Sequence, residues 1–177
     1  MRARILIAIG LLFFNTAVHA YQVEAENLPS DKYFETTLKE ITAAKSSVFL
    51  VMYLISLSPT QPNSEPNQLV NALIKAKERG INVNVILDQN INFEAESSES
   101  AVTSNKNQQA YELLRQNNVP VFFDTSEVYT HAKAMVIDNE TVIMGSTNWS
   151  KAALSRNNEV SALIRSKEFA QSLQTQL

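Results

Sequence analysis

The stretch THAKAMVIDNETVIMGSTNWS, residues 130–150, decides the fold. Two apolar runs, at 132–137 and 141–144, are separated by the polar residues Asp138, Asn139 and Glu140. Short apolar runs on either side of a tight polar turn are typical of an antiparallel hairpin. The rest of the predicted fold is arranged around this pair of strands.

Polar side chains cluster at the open end of the predicted hairpin. Residues two apart on a strand share a face, so His131 and Lys133 are expected to project together. Gly145 allows a tight bend after the return strand, and Ser146 and Asn148 then supply a hydroxyl and an amide. Ammonium, hydroxyl and amide donors suit a tetrahedral phosphate, on which a histidine can act as nucleophile, acid or base. The sequence therefore predicts a phosphate site.

Helix and strand patterns alternate along the rest of the chain. Apolar spacing predicts helices at 30–46, 67–79, 106–117 and 166–177, and strands at 48–55, 81–87, 119–123 and 159–164. The polar segment 89–105 is expected to be an exposed loop. This alternation predicts an α/β sandwich, in which helices flank a mixed and mostly parallel sheet with an antiparallel part at the hairpin.

The first twenty residues have the pattern of an export signal. Arg2 and Arg4 form a basic start, residues 5–14 are apolar apart from one glycine, and residues 18–20 suit signal peptidase. The apolar run is too short to span a bilayer comfortably. We therefore expect a signal peptide at 1–20, with an uncleaved anchor or a buried N-terminal helix as alternatives.

Cleavage after residue 20 would leave a linker at 21–29 and one domain at 30–177, in a periplasmic or secreted protein. The formal charge would fall from −3 to −5, because two arginines and no acid would leave. Of the two histidines, only His131 would remain, since His19 lies in the signal. Without cysteine, and without a spaced carboxylate cluster, we predict no metal and no cofactor.

The same residues resemble the HKD motif of the phospholipase D superfamily. The match has the form HxKxxxxD, six further residues and GSxN, at His131, Lys133, Asp138, Gly145, Ser146 and Asn148. Downstream, NNEV places Glu159 where single-motif members keep a carboxylate that orients the histidine. The segment KERGINVNVILD also resembles the family's helix, glycine and strand ahead of the motif. The resemblance covers residues 30–177 and implies a phospholipase D-like sandwich.

The resemblance also implies a mechanism and a homodimer. His131 would attack phosphorus and form a phosphohistidine, and the second histidine, absent from the mature chain, would come from another copy. Lys133 and Asn148 would hold the phosphate and Glu159 would orient His131, with no metal involved. Asp138 and Gly145 would be structural. Ser146 would either bind the phosphate or only cap the backbone.

The implied activity is that of a metal-independent phosphodiesterase, a hydrolase. Its small size, single motif and export signal favour an endonuclease on DNA or RNA, similar to the small secreted nucleases of the family. The acidic charge, and an acidic loop from Asp88 to Glu99, weigh against a nucleic acid partner. Lys151 and Arg156 could contact a polyanion or simply be solvated.

Two other functions remain open. Phospholipase D or phosphatidyl-transfer activity on phospholipid would need apolar side chains exposed at the cleft mouth, near Leu54, Leu57 and Trp149. For Trp149 the sequence favours packing beneath the site instead. A non-catalytic polyanion binder would keep the phosphate site but be monomeric.

Overall fold

A computed structural model describes residues 20–89 and 106–177. The predicted export signal, apart from Ala20, and residues 90–105 of the predicted exposed loop lie outside the described residues. In chain order the elements are β1 (Glu24–Pro29), α1 (Ser30–Ala43), β2 (Ser47–Met52), α2 (Glu65–Glu78), β3 (Asn82–Leu87), α3 (Gln108–Gln116), β4 (Val121–Phe123), β5 (Lys133–Ile137), β6 (Thr141–Gly145), α4 (Lys151–Ser155), β7 (Val160–Arg165) and α5 (Lys167–Gln176).

One mixed sheet organises the described chain, with the strand order β1-β7-β6-β5-β2-β3-β4. The α/β fold class, a mixed sheet flanked by helices, is confirmed. The expectation that parallel pairs predominate was wrong. Only β2–β3 and β3–β4 are parallel, because helices cross over between them, whereas the pairs β1–β7, β7–β6, β6–β5 and β5–β2 are antiparallel.

Apolar residues cover both faces of the sheet. Met135 and Ile137 of β5 belong to a large core that also takes in buried residues of α1, α2, α3 and α4. Val136, which points the other way, packs in a smaller cluster with Ala170 of α5. Within the described ranges, no helix is long and apolar enough to cross a membrane.

The sequence missed two elements, β1 and α4. Residues 24–29 were expected to be a linker, but they form an edge strand paired along its length with β7. In β1 only Leu28 is buried, so the apolar alternation that signals a strand is missing. The five-residue α4 is too short to produce a helical repeat, and its Ser150 cap, which accepts a hydrogen bond from the Ala153 amide, is its clearest local signal.

Two helix boundaries moved for identifiable reasons. Helix α1 ends at Ala43 and not at residue 46, because the amides of Lys45, Ser46 and Ser47 all donate to the Asp138 carboxylate. Helix α2 begins at Glu65 and includes a proline in its first turn, where a proline costs no helical hydrogen bond.

Candidate active site: a histidine, a lysine and an asparagine at one end of the sheet

Several strand ends meet where the predicted site residues lie. His131 comes just before β5, Gly145 ends β6, and Glu159 precedes β7. Because β5 is antiparallel to β6 and β6 is antiparallel to β7, these positions share one end of the sheet. The chain leaving β2 reaches the same end, where the Tyr53 amide donates to the Ala132 carbonyl at 2.9 Å.

One open pocket brings the predicted site residues together. It has a volume of about 420 Å³ and is lined by His131, Lys133, Gly145, Ser146, Asn148 and Glu159. Of the residues predicted from the motif, only Asp138 lies elsewhere, at the far end of β5. The cluster therefore forms within a single chain from segments up to 28 positions apart in the sequence.

His131 is exposed, and its backbone is held on both sides. Its amide donates to the Tyr129 carbonyl at 3.1 Å, and the preceding Thr130 amide donates to the buried Asp88 carboxylate at 2.8 Å. Its ring packs against Tyr53, with 4.4 Å between ring centroids. The imidazole is thus supported by an aromatic wall while remaining open to a substrate.

Lys133 is only 7% exposed, which is unusual for a lysine. Its Nζ donates to the His131 carbonyl at 2.7 Å and sits 4.5 Å from the centre of the Tyr53 ring. Burial lowers the pKa of the Lys133 ammonium, and the negative charges of Glu159 and Asp88 partly offset that effect. The ammonium is therefore a desolvated positive charge at the floor of the pocket.

Ser146 is hydrogen-bonded to Glu159. Its hydroxyl donates to Glu159 Oε2 at 2.5 Å and accepts from the Val160 amide at 3.0 Å. The other Glu159 oxygen accepts from Asn157 Nδ2 at 2.9 Å. In this geometry the hydroxyl proton of Ser146 is used within the protein, and phosphate binding by Ser146 stays a prediction. The Glu159 carboxylate lines the pocket but bonds to Ser146 and Asn157, so its direct link to His131 stays a prediction.

Gly145 and Asn148 each have a specific structural constraint. A Cβ at Gly145 would lie 2.2 Å from the Val160 carbonyl oxygen and 2.5 Å from Ser161 Cα, so only glycine fits where β6 approaches β7. Asn148 Oδ1 is buried and accepts no hydrogen bond from the described residues. The pocket wall thus carries a buried acceptor as well as the Lys133 ammonium.

Asp138 is a structural residue in this geometry. Its carboxylate accepts from the amides of Lys45, Ser46 and Ser47 and from the Ser46 hydroxyl, at 2.7 to 3.1 Å. Burial opposes the charged form, but the hydrogen bonds from Ser47, Ser46 and Lys45 outweigh it and lower the pKa of Asp138. The residue ties the end of α1 and the start of β2 to the hairpin turn.

Sequence reasoning missed a buried clamp behind the site. Asn107 is fully buried, and its Oδ1 accepts from the Ile55 amide at 2.8 Å. Its Nδ2 donates to the carbonyls of Tyr53 and Asp88, each at 2.8 Å. One signal in the sequence could have indicated this part of the site. Asp88 directly follows β3, and the carboxyl ends of parallel strands often border functional sites.

Ser30 and Trp149 give the site further support. Sequence reasoning missed the role of Ser30 and predicted that of Trp149. Ser30, at the start of α1, shares a hydrogen bond with the Glu159 amide at 3.0 Å and so fixes its backbone. Trp149 is fully buried, and its Nε1 donates to the Tyr33 hydroxyl at 3.3 Å, which confirms that it packs beneath the site. Burial raises the pKa of Tyr33 to about 12, against the lowering effect of its hydrogen bonds, so the phenol stays neutral.

Comparison with known proteins identifies the family. The family model described as "Cardiolipin synthase, PLD-like domain" matches residues 37–177. The chain therefore belongs to the phospholipase D superfamily, and the resemblance seen in the HKD motif is confirmed.

Individual relatives place the chain among both small and larger proteins. A phospholipase D of Rickettsia typhi is 30% identical over 137 residues, which are 76% of this chain and 56% of that protein. The chain thus spans about half the length of this curated relative. The crystal structure of Nuc, a phospholipase D family member from Salmonella typhimurium, matches with a TM-score of 0.68 and 25% identity, and covers 88% of this chain and 90% of that one. NucT from Helicobacter pylori shares the fold, with a TM-score of 0.62, 21% identity and coverage of 87% and 91%.

Proposed function

We propose that this protein is a metal-independent phosphodiesterase that cleaves nucleic acid through a phosphohistidine. The observation that carries the proposal is one pocket that brings exposed His131 together with buried Lys133 and half-buried Asn148. A desolvated ammonium stabilises the negative charge that grows on a phosphate during attack, and it does so better than an exposed one. The geometry therefore supports chemistry on a phosphodiester.

The proposed reaction needs two histidines, and the described chain has one. His131 would attack phosphorus, and the bond from phosphorus to the leaving oxygen would break as the partner's His131 gives that oxygen a proton. Water, deprotonated by the same partner histidine, would then break the bond from phosphorus to His131. We therefore propose a homodimer in which two pockets meet about a two-fold axis.

Similarity to Nuc and the burial of Trp149 support nucleic acid as the substrate. The fold matches that of Nuc, whose name suggests a nuclease, with a TM-score of 0.68 and 25% identity. A lipid-binding mouth would need Trp149 to be exposed, but its ring is fully buried, as the sequence favoured. Leu54 and Leu57 are only partly exposed.

A phospholipid substrate is the second candidate. The 30% identity to phospholipase D favours it, and so do Val128 and Tyr129, which are 52% and 62% exposed just before His131. Export to the periplasm or medium, proposed from the pattern of residues 1–20, is compatible with either substrate.

The test is a side-by-side assay of the purified full chain in excess EDTA. Wild type and His131→Ala would be incubated with plasmid, single-stranded DNA, RNA and anionic phospholipid vesicles. Cleavage of nucleic acid by wild type alone supports the proposal, whereas release of head groups with nucleic acids intact moves the protein to the second candidate. Sedimentation of the same samples tests the dimer, and a monomer at micromolar concentration that shows no turnover would refute the two-histidine mechanism.

A further inference from the structure

An exposed aromatic side chain stands beside the pocket and is not used by the proposed chemistry. The Tyr129 side chain is 62% exposed, although it lies two residues before the proposed nucleophile His131. Its ring centroid lies 6.0 Å from that of Tyr53, which itself lies 4.4 Å from the His131 ring. Tyr53 thus connects the exposed ring with the reacting histidine.

The backbone at Tyr129 is held in place, although the ring itself is exposed. The Tyr129 carbonyl accepts a hydrogen bond from the His131 amide at 3.1 Å. The amide of the next residue, Thr130, donates to the Asp88 carboxylate. The neighbouring Tyr129 phenol is the main reason why the pKa of Tyr53 is raised to about 12, with burial adding to it. A flat ring fixed in advance loses little conformational freedom on binding, which favours contact with another flat ring.

The charge balance makes such a contact important. Proteins that bind nucleic acid mainly through phosphates carry many lysines and arginines, and their affinity falls steeply with salt. This chain has a formal charge of −3, and its pocket holds one lysine opposite Glu159. Non-electrostatic binding therefore has to supply much of the affinity for a polyanion. Aromatic rings supply it to unpaired bases, because every base has a flat face that can stack.

We propose that Tyr129 forms a base-stacking subsite, which holds an unpaired base next to the phosphate that His131 attacks. The inference rests on the proposed nuclease function and narrows it to single-stranded nucleic acid. In a duplex the bases are stacked on one another, and a base would have to leave the stack before it could reach the ring. Tyr53 is a positioning residue for both Tyr129 and His131.

The experiment uses the full chain, in EDTA, with a single-stranded oligonucleotide and a matched strand in which abasic sites replace the bases around the cleaved bond. The variants are Tyr129→Ala, Tyr129→Phe and Val128→Ala, the last being an exposed neighbour without a ring. We expect Tyr129→Ala to raise KM for the normal strand by about 5- to 100-fold, the range of one base stack, with kcat changed little. Tyr129→Phe and Val128→Ala should keep KM close to that of wild type.

The abasic strand separates stacking from a structural role. Wild type should bind it as weakly as Tyr129→Ala binds the normal strand, and Tyr129→Ala should not distinguish the two strands. An unchanged KM for Tyr129→Ala, or an equal rise on both strands, overturns the subsite while leaving the nuclease proposal in place. If wild type cleaves no nucleic acid but releases head groups from vesicles, with Val128→Ala and Tyr129→Ala both impaired, the pair is a lipid contact and both proposals fail.

Discussion

The two ends of β5 carry polar residues that are used in opposite ways. At the end of the strand, the Asp138 carboxylate accepts hydrogen bonds from three consecutive backbone amides, those of Lys45, Ser46 and Ser47. At its start, the Lys133 ammonium has three N–H donors but, among the described residues, gives one to a single acceptor, the His131 carbonyl. The Asp138 carboxylate therefore has its hydrogen bonds satisfied within the protein, whereas the Lys133 ammonium keeps N–H donors for a ligand.

The contrast separates stability from chemistry along one short strand. A buried polar group whose hydrogen bonds are satisfied within the protein holds segments together. A buried charge with spare donors costs folding free energy and is useful only when a ligand takes those donors. We therefore expect substitutions at the start of β5 to affect turnover, and substitutions at its end to affect unfolding.

The largest effect is expected at His131. Because it is the proposed nucleophile, His131→Ala should lower kcat by at least about 10³-fold. Its side chain is exposed and packs on Tyr53, so the thermal midpoint should change little. Cleavage assays in EDTA and thermal melts would be compared with those of wild type. Retained turnover in the variant would remove His131 from the mechanism.

Lys133→Met should come next, with a loss of about 10²- to 10³-fold in kcat/KM, as for other donors that stabilise developing charge. Stability should hold or rise, because an apolar side chain of similar length avoids burying a charge. Exposed Lys167→Met on α5 is the matched control. A variant that keeps full activity would show that the ammonium does not contact the phosphate.

The lowered pKa of Lys133 gives a pH dependence with a definite sign. Its ammonium should lose its proton, and activity should fall, at a lower pH than for an ordinary lysine. Between the folded pKa and the higher unfolded pKa the unfolded chain binds more protons, so this residue makes stability rise with pH. Denaturant unfolding across that alkaline range should show the rise in wild type and lose it in Lys133→Met.

Asp138→Asn tests the other end of β5. Loss of charged hydrogen bonds to three amides should lower the free energy of unfolding by about 2–3 kcal/mol, while kcat of the folded enzyme stays close to that of wild type. The pKa of Asp138 is lowered in the fold, so its stabilisation is present above the unfolded pKa and is lost as pH falls through the folded one. Urea titrations at neutral and acid pH would measure both effects, with exposed Glu140→Gln as the control.

The smallest effect is expected at Ser146. Ser146→Ala removes one of the two hydrogen bonds that hold the Glu159 carboxylate, and indirect supports of this kind are worth about 10-fold or more in activity. If the hydroxyl only positions Glu159, KM should stay constant while kcat falls. A rise in KM alone would instead support direct phosphate binding by Ser146. Exposed Ser155→Ala serves as the control.

The sequence predicted those parts of the site that are close together along the chain. His131, Lys133, Gly145 and Asn148 follow from one hairpin and the turn after it, because strand alternation and the bend at Gly145 indicate which side chains converge. Asp88 and Asn107 could not be placed in this way. Their contacts join the ends of β2, β3 and the loop before β5, and no local repeat encodes such contacts.

In the fold, too, the elements with a clear local sequence pattern were the ones that could be predicted. Strands with buried residues on alternate positions, such as β3, were predicted close to their bounds, whereas β1, with only Leu28 buried, was not. The sheet was expected to be mostly parallel because helices alternate with strands. However, pairing depends on where each strand enters the sheet, and β5 enters beside β2 in the opposite direction. Tertiary packing determines the direction of this strand, and the local sequence pattern does not show it.

The Asn107 clamp also bears on when the proposed site assembles during synthesis of the chain. Tyr53 and Ile55 receive their fixed backbone geometry from a residue more than 50 positions later, and β2 is completed by β5 later still. Contacts of such long sequence separation form late in folding, because a long loop must close first. A chain of only the first hundred residues lacks Asn107 and every residue that lines the pocket, so the proposed site can assemble only after most of the last third of the chain has been made.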